Sequence, residues 1–196
     1  MLFILTGEFE IGKTRWLEAE LAYLRANGVP AAGVIAPGIW ERTPDGFDKR
    51  GIDNVLLPEG RRIRFALRRD LSSEGVVEAA HANETCFKWR IEEDAVNQVN
   101  DLFRVLIAKR EEAVALPSLL VVDELGPLEL VRGAGLTQAL SLLDMGPSQA
   151  YPHALIIVRP ALVECACERF APAWGEPVML QPDDASGNLL HAHLLH

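Results

Sequence analysis

The apolar run Leu2-Phe3-Ile4-Leu5 is followed almost at once by Gly7-Glu-Phe-Glu-Ile-Gly-Lys-Thr14. A short apolar stretch bounded by glycine reads as a buried strand, and the second segment fits the spacing G-x-x-x-x-G-K-[ST]. Such a segment constrains the fold, because it works only as a turn between a strand and a helix. Its glycines let the backbone curl so that several N–H groups point inward at one anion. The helix that follows aims the positive end of its dipole at the same spot. Gly7, Glu8, Phe9, Glu10, Ile11, Gly12, Lys13, Thr14 and Arg15 are therefore the candidate nucleotide cradle. Lys13 is expected at the β- and γ-phosphates and the Thr14 hydroxyl on Mg²⁺.

The chain has 196 residues, 49% of them hydrophobic, which suits one domain (1–196) with a sizeable core. Its formal net charge of −9 argues against a general nucleic-acid surface. One basic cluster stands out, Arg61, Arg62, Arg64, Arg68 and Arg69. It reads as a solvated face, with an anionic ligand or partner as the alternative. No apolar run reaches the length of a membrane span. The amino terminus reads as core strand without a secretory signal, so a cytoplasmic setting is expected. Three cysteines, Cys86, Cys165 and Cys167, form no disulfide framework and read as buried thiols. His191, His193 and His196 make a His-rich tail with no carboxylate or thiol beside them in sequence, so an ordered metal site is not expected there.

The first helix is predicted from about Lys13 to Asn27, ended by Gly28 and Pro30. After the apolar stretch 31–36 the pattern changes to short extended pieces at 39–42, 49–57 and 62–66. The turns Pro44-Asp-Gly and Pro58-Glu-Gly separate them. These are hairpin signals and predict an antiparallel β-meander over 33–67. Segment 70–90 reads as loop. Residues 92–115 read as a long amphipathic helix, and 119–122 as a central parallel strand covered on both faces. Helices at 135–144 and 161–169 and strands at 154–158 and 178–180 complete an alternating series, the mark of an α/β fold.

Asp123 and Glu124 follow the run Leu119-Leu-Val-Val122. In open α/β sheets, ligands bind at the carboxyl ends of the strands. An acid ending an apolar strand supplies the carboxylate of a Mg²⁺ shell, so Asp123 joins Thr14 as a candidate metal ligand. A second acid beside it can orient or deprotonate water, which makes Glu124 the candidate base. The doublet favours hydrolysis, since a phosphotransferase has less use for a water-activating base.

The block Val122-Asp-Glu-Leu-Gly-Pro-Leu-Glu-Leu130, the early GEFEIGKT, and Val158-Arg-Pro-Ala-Leu-Val-Glu164 ahead of Glu168-Arg-Phe170 resemble the small P-loop nucleoside-triphosphatase family. The segment Phe87–Ala95 and the Gly33…Gly46-Phe…Arg50-Gly51 spacing share the pattern, so the resemblance spans nearly the whole chain. It implies a RecA-like, mostly parallel sheet flanked by helices with an added β-ribbon. It also implies Mg²⁺-dependent hydrolysis of ATP, GTP, CTP and UTP with little base selectivity. By position it gives Lys13 and Thr14 to phosphate and metal, Asp123 to Mg²⁺ and Glu124 to the base.

Arg159 ends the strand before it and is a candidate arginine finger for catalysis. Gly126 and Glu129 are expected to shape the loop after the acids. Trp40 and Trp89 read as core aromatics first and base-stacking candidates second; Lys88 and Arg90 flank the latter. Two other functions fit the same scaffold. A nucleotide or small-molecule kinase needs an Arg-rich lid, for which only the 61–69 cluster offers itself. A nucleotide-dependent switch needs an unidentified protein partner that stimulates slow hydrolysis.

Overall fold

Strand β1 (Leu2–Leu5) is wholly buried, and its side chains alternate between the two faces of a sheet. The structure, a computed structural model, describes residues 1–44, 46–68, 89–112 and 115–195. From β1 the chain passes through the glycine loop into α1 (Lys13–Ala26) and returns as β2 (Ala31–Ile35). Then come β3 (Gly38–Thr43), β4 (Gly46–Leu57), β5 (Arg61–Arg68) and the short β6 (Trp89–Ile91), followed by α2 (Glu93–Lys109). The remainder alternates: β7 (Leu119–Leu125), a single turn α3 (Pro127–Leu130), α4 (Thr137–Asp144), β8 (His153–Val158), a 3₁₀ turn (Pro160–Leu162), α5 (Val163–Trp174), β9 (Val178–Leu180) and α6 (Asp184–Leu194).

The described strands form one sheet in the order β6-β5-β4-β2-β7-β8-β1-β9, with β3 also paired to β4. Pairings β2–β7, β7–β8, β8–β1 and β1–β9 are parallel; β2–β4, β3–β4, β4–β5 and β5–β6 are antiparallel. The fold is thus α/β, but the sheet is mixed rather than mostly parallel. The meander does not stand apart from the core: it continues the sheet through β4, which pairs Leu57 with Gly33 of β2. That arrangement covers the edge β2 would otherwise present.

Two apolar layers hold the parallel strands. On one face Phe3, Leu5, Val121 and Ile157 pack with Leu17 and Leu24 of α1 and Leu190 of α6. On the other, Leu2, Ile4, Val122 and Ile156 pack with Phe103 of α2, Leu143 of α4 and Phe170 of α5. Each of these large side chains, removed from water, stabilises the fold by ~1.5–3 kcal/mol. The two layers fix the strands in all directions except along their ends, and the loops after β1, β7 and β8 emerge together at one rim.

Four elements differ from the sequence expectation, one of them α5, which runs on through Pro172 to Trp174 rather than ending near 169. Helix α2 stops at Lys109 rather than near 115. Strand β6 lies where a loop is expected, and α6 occupies the His-rich tail. Arg69, the expected loop from 70 to 88 with Cys86, Phe87 and Lys88, and His196 lie outside the described residues.

Candidate phosphate-binding site

The loop after β1 uses backbone that side chains rarely adopt. Gly7 has φ 151°, Glu10 φ 60° and Gly12 φ 97°, and Gly12 ends the loop as the residue preceding α1. The first turn of α1 holds no acidic residue, so nothing in it offsets the positive end of the helix dipole. Glu8, Phe9, Glu10, Ile11 and Arg15 are exposed, Phe9 and Ile11 unusually so for apolar residues at 62% and 54%. Gly12, Lys13 and Thr14 sit deeper. The Lys13 ammonium turns back over the loop and donates to the carbonyls of Gly7 (2.8 Å) and Glu8 (2.7 Å). Burial lowers its pKa, against the pull of Glu124, Asp123 and Glu8, with Arg159 adding to the lowering.

Asp123 is buried, 4% exposed, at the carboxyl end of β7. Its Oδ2 accepts from the Ala36 N–H at 3.0 Å, and the Thr14 side chain hydrogen-bonds to it. Burial pushes its carboxyl up to about 6; the Glu124 charge adds to this, while the Ala36 and Thr14 hydrogen bonds and the Lys49 charge oppose it. Glu124, one residue on, is only partly covered. The Arg159 Nε donates to its Oε1 at 2.5 Å. That pairing follows from strand order, since β8 lies directly beside β7 and Leu125 is level with Val158. Arg159 is therefore an ion-pair partner of the candidate base, at the same rim as the loop.

Beyond the acids, Glu129 is buried and accepts from the N–H groups of Gly126 (3.0 Å) and Leu136 (3.2 Å). Its carboxylate braces the loop, as the sequence suggests. Gly135 is required there: at φ 69° a Cβ would lie 2.1 Å from Glu129 Oε1.

The β3–β4 hairpin forms the wall opposite the glycine loop. Between them lies a cleft of about 570 Å³, within the range of small-molecule sites. It brings together the loop from Phe9 to Arg15, Glu18, Ala36, Pro37, Gly38, Trp40, Phe47, Lys49, Glu124 and Arg159. Trp40 and Trp89 do not join the core; Trp40 is 44% exposed and both line clefts at this rim. Lys49 is a site residue that sequence reasoning missed. Its signal was faint, one lysine in a charged strand, because only the strand pairing carries it across to the loop.

Other candidates resolve into structure. Arg61 donates to Gln98, Arg64 pairs with Asp53 at 2.8 Å, and Arg68 pairs with Asp48 at 2.6 Å, so the described part of the arginine cluster is a cross-strand and helix-facing network. His191 does have a carboxylate beside it, Glu20 of α1 at 2.6 Å, and its ring stacks on Tyr23. Among the described residues no group of three or more His, Cys, Asp or Glu could hold a metal, and no helix is long and apolar enough to cross a membrane. Cys165 and Cys167 are free thiols, each partly covered. No family model matches the chain, and neither a curated protein nor a solved structure does.

Proposed function

We propose that this chain is a Mg²⁺-dependent nucleoside-triphosphate phosphohydrolase of broad base specificity, built on a RecA-like P-loop domain and working in the cytoplasm. The observation that carries the reading is convergence. Lys13 and Thr14 after β1, Asp123 and Glu124 at the end of β7, and Arg159 after β8 come from distant parts of the chain and meet at one rim. The strand order supports it further. With β8 between β1 and β7, Arg159 emerges between the loop and the acids.

In this reading the loop N–H groups and Lys13 bind the β- and γ-phosphates. Thr14 and Asp123 fit Mg²⁺: both offer hard oxygen donors, and they are already in hydrogen-bond contact. With so few protein ligands, phosphate oxygens and water would complete the shell, as is usual for this ion. Bound there, Mg²⁺ would supply positive charge to the phosphate groups. Glu124 takes the proton of the attacking water. Arg159 holds the Glu124 carboxylate in place and, in this reading, offsets charge developing on the γ-phosphate.

Phosphate contacts are the same for every nucleotide, whereas discrimination needs dedicated partners for a base. The test is phosphate release from ATP, GTP, CTP and UTP with Mg²⁺, alone and with nucleoside or nucleoside-monophosphate acceptors. The expected kcat/KM values lie within about tenfold of one another, roughly 1.4 kcal/mol. Strict dependence on an acceptor, with label passing into it, would instead establish a kinase.

A further inference from the structure

We infer that a second small molecule, a planar aromatic anion, binds in the cleft adjoining the phosphate site, on the side where the γ-phosphate would lie; the inference rests on the nucleotide reading above. This second cleft has a volume of about 770 Å³. It shares Phe9, Glu10, Trp40, Phe47, Lys49 and Arg159 with the first and adds Trp89, Asp48 and Arg68. Exposed aromatic faces dominate the shared wall, with Phe9 62%, Phe47 72% and Trp40 44% exposed. Lys49 lies near the Phe9 and Trp40 rings and Arg159 near Phe9 at 5.9 Å, yet each ring keeps solvent-exposed area on which another flat ring can stack, whatever its exact hydrogen-bonding pattern.

Charge selects the ligand further. Arg68 is matched by Asp48 at 2.6 Å and Arg159 by Glu124 at 2.5 Å. Lys49 differs: its ammonium lies 5.6 Å from the Trp89 ring centroid, 5.9 Å from Trp40 and 6.0 Å from Phe9, and it forms no ion pair with a described residue. A cation held among rings, with only the more distant, buried Asp123 carboxylate feeling its charge among the described residues, favours an anionic group beside it. The carboxylates of Glu8 and Glu10 line the loop side, so the ligand's anion belongs at the Lys49 end and its ring over the aromatics.

Orientation separates this ligand from the nucleotide's own base. The loop N–H groups cradle the α- and β-phosphates, and the loop lysine reaches the β- and γ-phosphates. The Lys13 ammonium lies on the carbonyls of Gly7 and Glu8, so the γ end points towards those residues. The second cleft touches Gly7, Glu8 and Arg159, and Lys13, Thr14 and Arg15 are not among its lining residues. A base attached through the α-phosphate lies at the opposite end. The occupant is therefore a separate molecule.

The experiment saturates the full chain with Mg²⁺ and β,γ-imido-ATP, then titrates AMP as the probe by calorimetry, with adenosine as the uncharged comparison. We expect AMP to bind one-to-one without displacing imido-ATP and at least tenfold more tightly than adenosine. Trp89→Ala, which touches only the second cleft, should weaken AMP at least tenfold and leave imido-ATP affinity within twofold. Trp89→Phe should restore AMP binding. Lys49→Gln should erase the preference for AMP over adenosine, a second arm that stands if Trp89→Ala fails to fold. Absence of AMP binding to the loaded chain overturns the inference. So does AMP competing with imido-ATP, or Trp89→Ala weakening both alike, since either would mean that the cleft holds the nucleotide's own base. Failure of imido-ATP to bind the unmodified chain would overturn the hydrolase reading instead, and AMP titrated onto the bare chain then tests the cleft by itself.

Discussion

The two halves of the sheet are built on opposite rules. In the parallel half, β2, β7, β8, β1 and β9 are mostly unbroken apolar runs, with Leu2–Leu5 and Leu119–Val122 entirely buried between helices. In the antiparallel half, β3 to β6 carry Arg50, Arg64 and Arg68 in cross-strand ion pairs and leave Trp40 and Phe47 largely in water. The first half has no freedom to vary its side chains but fixes the strand ends where the loop, the acids and Arg159 meet. The second can change its exposed residues at little cost and presents them to the same rim. Stability thus sits on one half, together with the residues proposed for phosphate chemistry, and the other half has room to vary the side chains it presents to them.

Matched aromatic truncations would break this contrast most directly. Phe3 is fully buried in β1, so Phe3→Ala should cost ~3–5 kcal/mol. Phe47, 72% exposed in β4, should cost less than ~0.5 kcal/mol on the same change. Midpoints of denaturant unfolding at constant slope measure both. Comparable losses would mean that the hairpin is part of the core.

The seam between the halves is Gly33 of β2, paired with Val121 on its parallel side and Leu57 on its antiparallel side. Its φ is 123°, and a Cβ would lie 2.1 Å from the Val121 carbonyl oxygen. Gly33→Ala should therefore destabilise by about 3 kcal/mol, from backbone strain and forced separation of β2 and β7. If the halves fold as one unit, a single transition shifts to lower temperature. A split into two transitions would show that the meander is an independent appendage.

The sequence made the parallel half legible because its strands are apolar, short and bounded by turn residues, as β9 at Val178–Leu180 shows. The hairpins of the meander were legible from their turns, but their attachment to β2 was not, since strand pairing leaves no local mark. Helix α6 was hidden by Gly187 in its middle. That glycine makes room for Glu20, whose Oε1 would lie 2.9 Å from a Cβ there, while the capping bond from the Ser186 N–H to Asp183 Oδ1 at 2.8 Å starts the helix. Within the site, Lys13, Thr14, Asp123, Glu124 and Arg159 were each visible at a strand end or loop. The Arg159–Glu124 pair and the arrival of Lys49 depend on which strands are neighbours.

Replacing Lys13 or Glu124 at the parallel half's rim should cut turnover with little effect on stability. Lys13→Ala should reduce kcat at least 100-fold, about 2.7 kcal/mol of lost electrostatic stabilisation. Glu124→Gln should reduce it as much while leaving nucleotide affinity largely intact, because the amide keeps the shape but cannot take a proton. Nucleotide affinity measured beside turnover separates the two. Normal turnover in Glu124→Gln would move the base elsewhere.

The smallest expected effect is also the one that couples the halves. Asp123 belongs to the parallel half, but the Ala36 N–H at 3.0 Å and the charge of Lys49 from β4 both oppose the burial that pushes its carboxyl up to about 6. The sign follows from linkage. A carboxyl with a raised folded pKa favours the fold fully below its unfolded value near 3.8, and that contribution is lost as pH rises through about 6. The chain without ligand should therefore lose this part of its stability between those values. Metal binding runs the other way, since Mg²⁺ needs the ionised carboxylate. Mg²⁺-nucleotide affinity should fall by up to tenfold for each pH unit below about 6, roughly 1.4 kcal/mol per unit. The nucleotide titrates too, so Asp123→Asn provides the reference: it binds more weakly throughout and should keep only the nucleotide's own pH dependence. Lys49→Gln removes a charge that favours ionisation, so its affinity profile should shift to higher pH. A profile unchanged in Lys49→Gln would mean that the antiparallel half contributes surface to the site but no field.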